Sequence, residues 1–158
     1  MPIDGCTTAP SPPPAASDSD PNGDAVRPRC GVVIIGHGTS ATALLAAARS
    51  LLPVDGLDDA VAIDAGAGVT PALKARVCEV MGEVDIGGGI LLVADLMGSS
   101  PCTCGVQQSV GHGFALVTGL NLAVLTKLGL LDRRQAPRAL AEQCAESVKR
   151  SIVVKAHD

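Results

Sequence analysis

The chain has 158 residues, which is enough for one domain with a sizeable core but not for two domains of ordinary size. Its hydrophobic fraction is 47% with a single aromatic residue, Phe114, so we predict a core of Ala, Val, Leu and Ile. A formal net charge of −4 and the lack of Trp and Tyr argue against a nucleic-acid partner. The sequence contains no apolar run long enough to cross a bilayer, so we expect no direct membrane insertion.

The first 29 residues differ in composition from the rest of the chain. They are rich in Pro, Ser, Asp and Gly, with three consecutive prolines at residues 12–14, and contain few large apolar side chains. Such a segment buries too little apolar surface to offset the conformational entropy lost on ordering. We predict a disordered tail over residues 1–29, with a docking peptide as the alternative, and one folded domain over residues 30–158.

The six cysteines are scattered along the chain. The amino terminus has neither the basic start nor the apolar run of a secretion signal. This usage is typical of reduced thiols, so we expect a cytoplasmic protein.

The first predicted unit is a buried strand followed by a helix, within the sequence GVVIIGHGTSATALL at residues 31–45. Its first five residues are apolar and mostly β-branched, as in strands that are covered on both faces. The run stops at a Gly-His-Gly tripeptide centred on His37, and Thr39 or Ser40 can cap the helix that follows. His37 therefore lies where a strand end meets a helix amino terminus, which favours anions such as phosphoryl groups.

Three further strands are predicted after this unit, and each leads into a helix. The predicted strands cover residues 60–64, 90–94 and 114–117, and the predicted helices cover residues 71–82, 102–110, 122–130 and 137–150. This alternation, with strands too apolar to face water, predicts an α/β fold in three layers, α/β/α, around a mainly parallel four-stranded sheet. Residues 152–154 could add a short carboxyl-terminal fifth strand, paired either in its own sheet or with a partner subunit.

Polar residues follow the predicted strand ends and are expected to converge on one crevice. A neutral imidazole such as that of His37 is a nucleophile toward phosphorus, and a carboxylate such as Asp95 can fix its tautomer. The hydroxyl of Ser100 and the backbone N–H groups of Gly98 and Ser99 can hydrogen-bond phosphoryl oxygens. The same residues also allow a purely structural interpretation, in which the histidine is a turn residue and the aspartate a helix cap.

Three motifs occur in a fixed order along the chain. They are the apolar strand that ends in His37-Gly38, LLVADLMGSSP at residues 91–101, and VTGLNLAVL at residues 117–125. Their combination resembles the mannose-family IIA components of the bacterial phosphoenolpyruvate-dependent sugar phosphotransferase system, over residues 31–131. The resemblance implies a phosphotransferase that takes a phosphoryl group from the phosphocarrier protein HPr on a histidine and passes it to a IIB domain or component.

The resemblance also implies roles for individual residues. It assigns the phosphoryl acceptor to His37, the aspartate that orients the imidazole to Asp95, and the serine that hydrogen-bonds the phosphoryl group to Ser100. The further residues expected to bind at the site are Gly38, Met97, Gly98, Ser99 and Asn121. The resemblance further implies a homodimer that exchanges its carboxyl-terminal strand, and transfer between protein partners is expected to need no cofactor and no metal.

The sequence departs from the pattern of the family at several positions. Gly36 stands where the family commonly has a hydroxyl residue, and Met97 stands where an aromatic residue often contacts the partner. We expect both departures to weaken or redirect docking without removing the phosphorylation chemistry, and we expect the docking surface to be the rim of the crevice, including Met97 and the first helix. Cys102 and Cys104 replace a stretch that usually contains asparagine; a metal or redox site is one interpretation of this pair, and small buried thiols are the commoner one.

Two alternative functions remain open from the sequence. VVIIGHGTS at residues 32–40 also resembles the opening of the small sirohydrochlorin cobalt or iron chelatases, in which such a histidine binds the metal. A chelatase needs a second histidine, and His112, the internal candidate, is predicted at the start of a strand, at the opposite edge of the sheet from His37. A regulatory module, whose phosphorylation state is read by a partner, would use the same residues as the phosphocarrier.

Overall fold

The computed structural model describes residues 27–66 and 68–157. Most of the segment predicted to be disordered, residues 1–29, lies outside these ranges. Residues 27–29 are described and belong to no helix or strand. Disorder of the tail therefore stays a prediction.

Strands and helices alternate along the described chain. The strands are β1 (Gly31–Gly36), β2 (Val61–Asp64), β3 (Ile90–Ala94) and β4 (Phe114–Thr118). The helices are α1 (Ser40–Leu51), α2 (Pro71–Val84), α3 (Ser100–Gln108), α4 (Leu122–Leu130) and α5 (Pro137–Lys149). The four predicted strands before α5 and all the predicted helices are therefore confirmed.

The four strands form one parallel sheet in the order β2-β1-β3-β4. The central strands β1 and β3 are buried at every residue, which explains their continuous apolar sequences. The outer strands β2 and β4 are only partly buried. The predicted α/β class and the parallel sheet are confirmed.

Helices cover both faces of the sheet and complete the predicted three layers. Helices α1, α4 and α5 pack against one face through side chains such as Leu45, Leu125 and Leu140. Helices α2 and α3 pack against the other face, with Val77 and Cys104 among their buried side chains. None of the helices in the described ranges is both long and apolar enough to cross a membrane.

The boundaries of α3 differ from the prediction by about half a turn. The helix begins at Ser100 rather than Cys102 and ends at Gln108 rather than Val110. It starts earlier because the Ser99 side chain accepts a hydrogen bond from the N–H of Cys102 at 3.4 Å, which makes Ser99 the N-cap.

The predicted fifth strand is not formed within the described part of the chain. Residues 152–154 are apolar, exposed and outside any strand. Strand β4 ends the sheet and has no further partner strand among the described residues. Pairing within the same sheet is therefore not observed, and pairing with a second subunit stays a prediction.

A buried arginine ties the segment between α4 and α5 to the start of the sheet. The guanidinium of Arg133 is fully buried; its Nη1 donates to the Cys30 carbonyl at 3.3 Å, and its Nη2 donates to Oδ1 of Asp59. The Arg133 carbonyl in turn accepts from the Cys30 N–H at 2.7 Å. Partial burial raises the pKa of Asp59, but the contacts with Arg133 outweigh it and hold that pKa below its ordinary value.

Substitutions in this pair are expected to differ in their cost to stability. Asp59→Ala leaves a fully buried guanidinium without its carboxylate, so we expect it to lower the free energy of unfolding by about 2 kcal/mol. Arg133→Met removes the buried charge while keeping a similar side-chain volume, so it should cost less than Asp59→Ala. Urea unfolding of both variants measures the difference, and a larger loss for Arg133→Met would contradict the expectation.

Candidate phosphoryl-transfer site

The site lies at the carboxyl edge of the sheet, where the chain changes direction. After β1 the chain passes through α1 to β2 on one side, and α2 then returns it to β3 on the other side of β1. The loops after β1 and β3 therefore leave the sheet in opposite directions, which opens the crevice where α/β sheets bind ligands. His37 follows β1 and Asp95 follows β3, so these two residues flank the crevice.

The loop after β1 is held in a tight turn on both sides of His37. Gly38 has a φ of 56°, a conformation that glycine adopts at little cost, and it forms an isolated antiparallel bridge with Gly66 in the loop after β2. The N–H of Ala65 donates to the Gly36 carbonyl at 2.9 Å. The two loops thus fix the backbone from which the imidazole projects.

One carboxylate oxygen of Asp95 contacts His37 twice. The backbone N–H of His37 donates to Asp95 Oδ2 at 2.7 Å, and the imidazole Nδ1 lies 2.8 Å from the same oxygen. The histidine side chain is 50% exposed, whereas the aspartate side chain is 20% exposed. The structure therefore presents an accessible imidazole that a mostly buried carboxylate holds in place.

The state of Asp95 decides which imidazole nitrogen carries the proton. Partial burial raises the pKa of Asp95, but the hydrogen bonds from the backbone and side chain of His37 hold it below its ordinary value. The carboxylate is therefore ionised at neutral pH and can only accept hydrogen bonds. Since its partner must donate, Nδ1 carries the proton of the neutral ring and Nε2 keeps a free lone pair.

Thr39 is the N-cap of α1, as predicted, but neither its side chain nor that of Ser40 makes a capping hydrogen bond. Instead, Oδ1 of Asp64 accepts a hydrogen bond from the N–H of Thr42 at 3.1 Å. The parallel register pairs Asp64 with Gly36, so the carboxylate at the end of β2 reaches the start of the helix. A second carboxylate thus lies at this edge of the sheet, but it is bonded to the helix backbone.

The loop after β3 brings further predicted residues to the same edge. Met97 is exposed, and the next residue, Gly98, has a φ of 72°. The hydroxyl of Ser99 is engaged in capping α3, whereas Ser100 is exposed at the first position of that helix. Pro101 has no N–H and the Cys102 N–H is bonded to the Ser99 side chain, so among the first three residues of α3 only Ser100 keeps an N–H for an anion.

Asn121 was predicted to bind at the site, and in the structure it is the N-cap of α4. Its Oδ1 accepts from the Val124 N–H at 2.9 Å, and its Nδ2 donates to the Gly119 carbonyl at 2.9 Å. The N–H of Leu120 donates to the Ala94 carbonyl at 3.0 Å, which ties this loop to the end of β3. The Asn121 side chain therefore shapes the loop beside the site, and a direct binding role stays a prediction.

Two side chains at this edge were missed as site residues. Ser40 was considered only as a helix cap, and Asp64 only as the end of a strand. In the structure the Ser40 hydroxyl is buried beside Gly36 and Asp95, and Asp64 caps the helix that follows His37. No helical periodicity marks Ser40 as a site residue, because residues 36–39 belong to β1 and the turn after it.

The other internal histidine lies at the opposite edge of the sheet. Nδ1 of His112, just before β4, is 2.7 Å from Oδ2 of Asp85, whose Oδ1 accepts from the N–H groups of Gly87 and Gly89 at 3.0 Å each. This carboxylate joins the turns that precede β3 and β4. Its position keeps His112 away from His37, so the two cannot share a metal as the chelatase interpretation requires.

Cys102 and Cys104 are buried free thiols on the face of the sheet covered by α2 and α3. Burial raises the pKa of the Cys104 thiol, which keeps it protonated and unreactive. Both side chains thus serve as small apolar groups in the core. Over the described ranges, no group of three or more His, Cys, Asp or Glu side chains is arranged to hold a metal ion.

Fold and site together define an open-sheet α/β protein with an accessible histidine that a carboxylate orients. A family model described as the PTS system fructose IIA component, EIIA-man, matches residues 31–148. The chain therefore belongs to this family of IIA components of the phosphotransferase system.

Solved structures share this fold at low sequence identity. The mannose/sorbose specific IIA subunit from Enterococcus faecalis has a TM-score of 0.71 and 20% identity, covering 82% of this chain and 97% of its own. The EIIA component from Streptococcus agalactiae has a TM-score of 0.63 and 20% identity, with 79% and 96% covered. A PTS IIA protein associated with the fucose utilization operon of Streptococcus pneumoniae has a TM-score of 0.65 and 17% identity, with 80% and 93% covered. No curated protein matches the chain significantly.

Proposed function

We propose that this chain is a phosphocarrier that accepts a phosphoryl group from phospho-HPr on His37 and passes it to a IIB domain or component. The observation that carries the proposal is the 2.8 Å contact between His37 Nδ1 and Asp95 Oδ2, at the carboxyl edge of two adjacent parallel strands. This contact leaves Nε2 as the free nitrogen on a side chain that is half exposed. Membership of the IIA family agrees with this chemistry.

The transfer step follows from the protonation state of the imidazole. The Nε2 lone pair of His37 attacks the phosphorus of the donor phosphohistidine, a new N–P bond forms, and the N–P bond of the donor breaks with its electron pair returning to the donor nitrogen. The His37 ring gains positive charge because Nδ1 keeps its proton. The ionised carboxylate of Asp95 stabilises that charge, and the same geometry serves the reverse attack by the acceptor on the phosphorylated ring.

The start of α3 is the proposed contact for the phosphoryl oxygens. The exposed Ser100 hydroxyl opens α3, and the Gly98 N–H lies in the loop that follows Asp95, whereas the Ser99 N–H already donates to the Leu96 carbonyl at 3.3 Å. Gly38, on the other side of the crevice, leaves room for the phosphoryl group because no atom lies within 4 Å of where its side chain would be. Donors on one side and open space on the other suit a group that must enter and leave.

The proposed docking surface for HPr and the IIB partner surrounds His37. Leu96 and Met97 are large apolar side chains beside the site, exposed by 61% and 65%. Exposed apolar residues next to a reactive group are typical of a surface that is covered transiently by protein partners. We place the same two residues, with the start of α1, in both successive interfaces.

A homodimer is the proposed assembly. The exposed apolar residues 152–154 and the outer edge of β4, which ends the sheet among the described residues, complement each other as a strand and an edge. Exchange of this segment between two subunits would satisfy both.

Phosphorylation of the purified chain tests the proposed function. The chain is incubated with phosphoenolpyruvate, enzyme I and HPr, and its intact mass is measured. We expect one added phosphoryl group that is labile in acid, stable in alkali and lost when a mannose-type IIB domain is added. An unchanged mass with phospho-HPr in excess would contradict the proposal.

A further inference from the structure

A serine hydroxyl is buried next to the proposed site without a hydrogen-bond partner among the described residues. Ser40 is the first residue of α1, and its Oγ is shielded from solvent. Oδ1 of Asp95 is equally buried and unpartnered, while Oδ2 of that carboxylate takes both contacts with His37. The site thus contains a buried donor and a buried charged acceptor that each lack a partner.

Gly36 lies between the Ser40 hydroxyl and the carboxylate of Asp95. A Cβ added to Gly36 would lie 2.3 Å from Ser40 Oγ and 3.3 Å from Asp95 Oδ2. The hydroxyl and the carboxylate therefore border the same small volume, directly before His37 in the chain. Because residue 36 has no side chain, this volume is left to the hydroxyl of residue 40.

We propose that Ser40 is a positioning residue, whose hydroxyl donates a hydrogen bond to the carboxylate of Asp95 and thereby orients His37. A buried hydroxyl and a buried charged oxygen each cost free energy while they stay unpaired, and one hydrogen bond between them removes both costs. The additional donor keeps the carboxylate ionised and aimed at Nδ1. This favours the ring tautomer in which Nε2 is the nucleophile.

Substitution of the hydroxyl is the first test, with two separate measurements. We expect Ser40→Ala to move the titration of the Asp95 carboxyl, followed by carbon-13 NMR, to higher pH, because the carboxylate loses a donor. We also expect phosphorylation by phospho-HPr to slow by about tenfold, the size of a hydrogen bond to a charged group. Ser50→Ala is the matched control: it removes an exposed hydroxyl from the far end of the same helix, and it should change neither measurement.

A swap of the hydroxyl between residues 36 and 40 is the second test. Gly36→Ser alone should slow transfer, because its Cβ would meet the Ser40 hydroxyl at 2.3 Å. The double variant Gly36→Ser/Ser40→Ala frees that space and returns a hydroxyl to it, so it should recover most of the rate and the original Asp95 titration. If Ser40 only fills space, Ser40→Ala leaves the Asp95 titration unchanged, so a titration that shifts in this single variant and returns in the double variant identifies the hydroxyl as the donor.

The Asp95 titration tests the hydrogen bond from Ser40 independently of the proposed phosphocarrier function, whereas the phosphorylation rate rests on that function. An Asp95 titration that is the same in Ser40→Ala as in the wild-type protein overturns the inference, whatever the rate. Failure of the double variant to restore that titration overturns it as well. If the titration shifts as expected while the wild-type chain accepts no phosphoryl group, Ser40 still orients Asp95 and the proposed phosphocarrier function fails instead.

Discussion

Replacement of His37 by alanine is expected to abolish phosphorylation by phospho-HPr while leaving the fold intact. The substitution removes the nucleophilic nitrogen, and no other imidazole in the described part of the chain contacts a carboxylate at this edge of the sheet. The side chain is half exposed and lies in a loop, so its loss creates no core cavity. We expect the free energy of unfolding to change by no more than about 0.5 kcal/mol. Intact mass after incubation with the phosphoryl donors, together with thermal unfolding, measures both effects.

His157→Ala is the matched control for this prediction. His157 is also an exposed histidine, but it lies beyond α5 and outside the candidate site. The His157→Ala variant should be phosphorylated to the same extent as the wild-type chain. A phosphoryl group retained by His37→Ala, or lost from His157→Ala, would contradict the assignment of the acceptor.

Replacement of Asp95 by asparagine is expected to slow phosphoryl transfer by about a hundredfold or more. The carboxylate can only accept from Nδ1, whereas an amide can turn its NH2 group toward that nitrogen and favour the tautomer in which Nε2 carries the proton. The ring then lacks a lone pair at the reactive nitrogen. The amide also removes the negative charge that opposes the charge gained by the phosphorylated ring.

Asp64→Asn is the control for Asp95→Asn, because both change one carboxylate at the same edge of the sheet. Asp64 accepts from the Thr42 N–H, and asparagine caps helices about as well as aspartate. We therefore expect a rate close to that of the wild-type chain. Stopped-flow or quench-flow transfer from phospho-HPr gives both rates, and equal slowing in the two variants would show that the effect is general electrostatics rather than orientation of His37.

Much of the fold could be predicted because local pattern and global architecture agree in this chain. The strand at residues 31–36 is continuously apolar, and glycines or polar residues end it abruptly, which is what a central parallel strand requires. Adjacent parallel strands then bring His37 and Asp95 to one edge, so their proximity could be anticipated before any coordinates. The helix starts with a proline near the first position were predicted to within two residues.

The contacts that were missed depend on strand register and on distant parts of the chain. Asp64 caps α1 only because the register pairs it with Gly36, and no local pattern reveals that pairing. Arg133 lies in a polar stretch typical of exposed turns, yet its partners are Cys30 and Asp59, far away in sequence. A buried arginine of this kind is visible only when the tertiary packing is known.

The structure explains why this chain has Gly36 where the family commonly has a hydroxyl residue. The family commonly has a hydroxyl residue before the histidine, so the sequence alone predicts that glycine at this position removes that hydroxyl and affects docking. In the structure a side chain at this position would collide with the Ser40 hydroxyl, so the hydroxyl is present but comes from the following helix. The two positions have to be considered as a pair, which single-position comparison does not do.

Identifying the ring nitrogen of His37 that carries the phosphoryl group is the most direct test of the proposed role of Asp95. Nitrogen-15 NMR of the chain labelled in histidine, recorded before and after phosphorylation, distinguishes the two ring nitrogens. We predict that Nδ1 of His37 carries the proton shared with Asp95 before the reaction, and that a phosphorus coupling to Nε2 is present after it. A phosphoryl group on Nδ1 of His37, or on another histidine, would contradict the proposed role of Asp95 in orienting the acceptor.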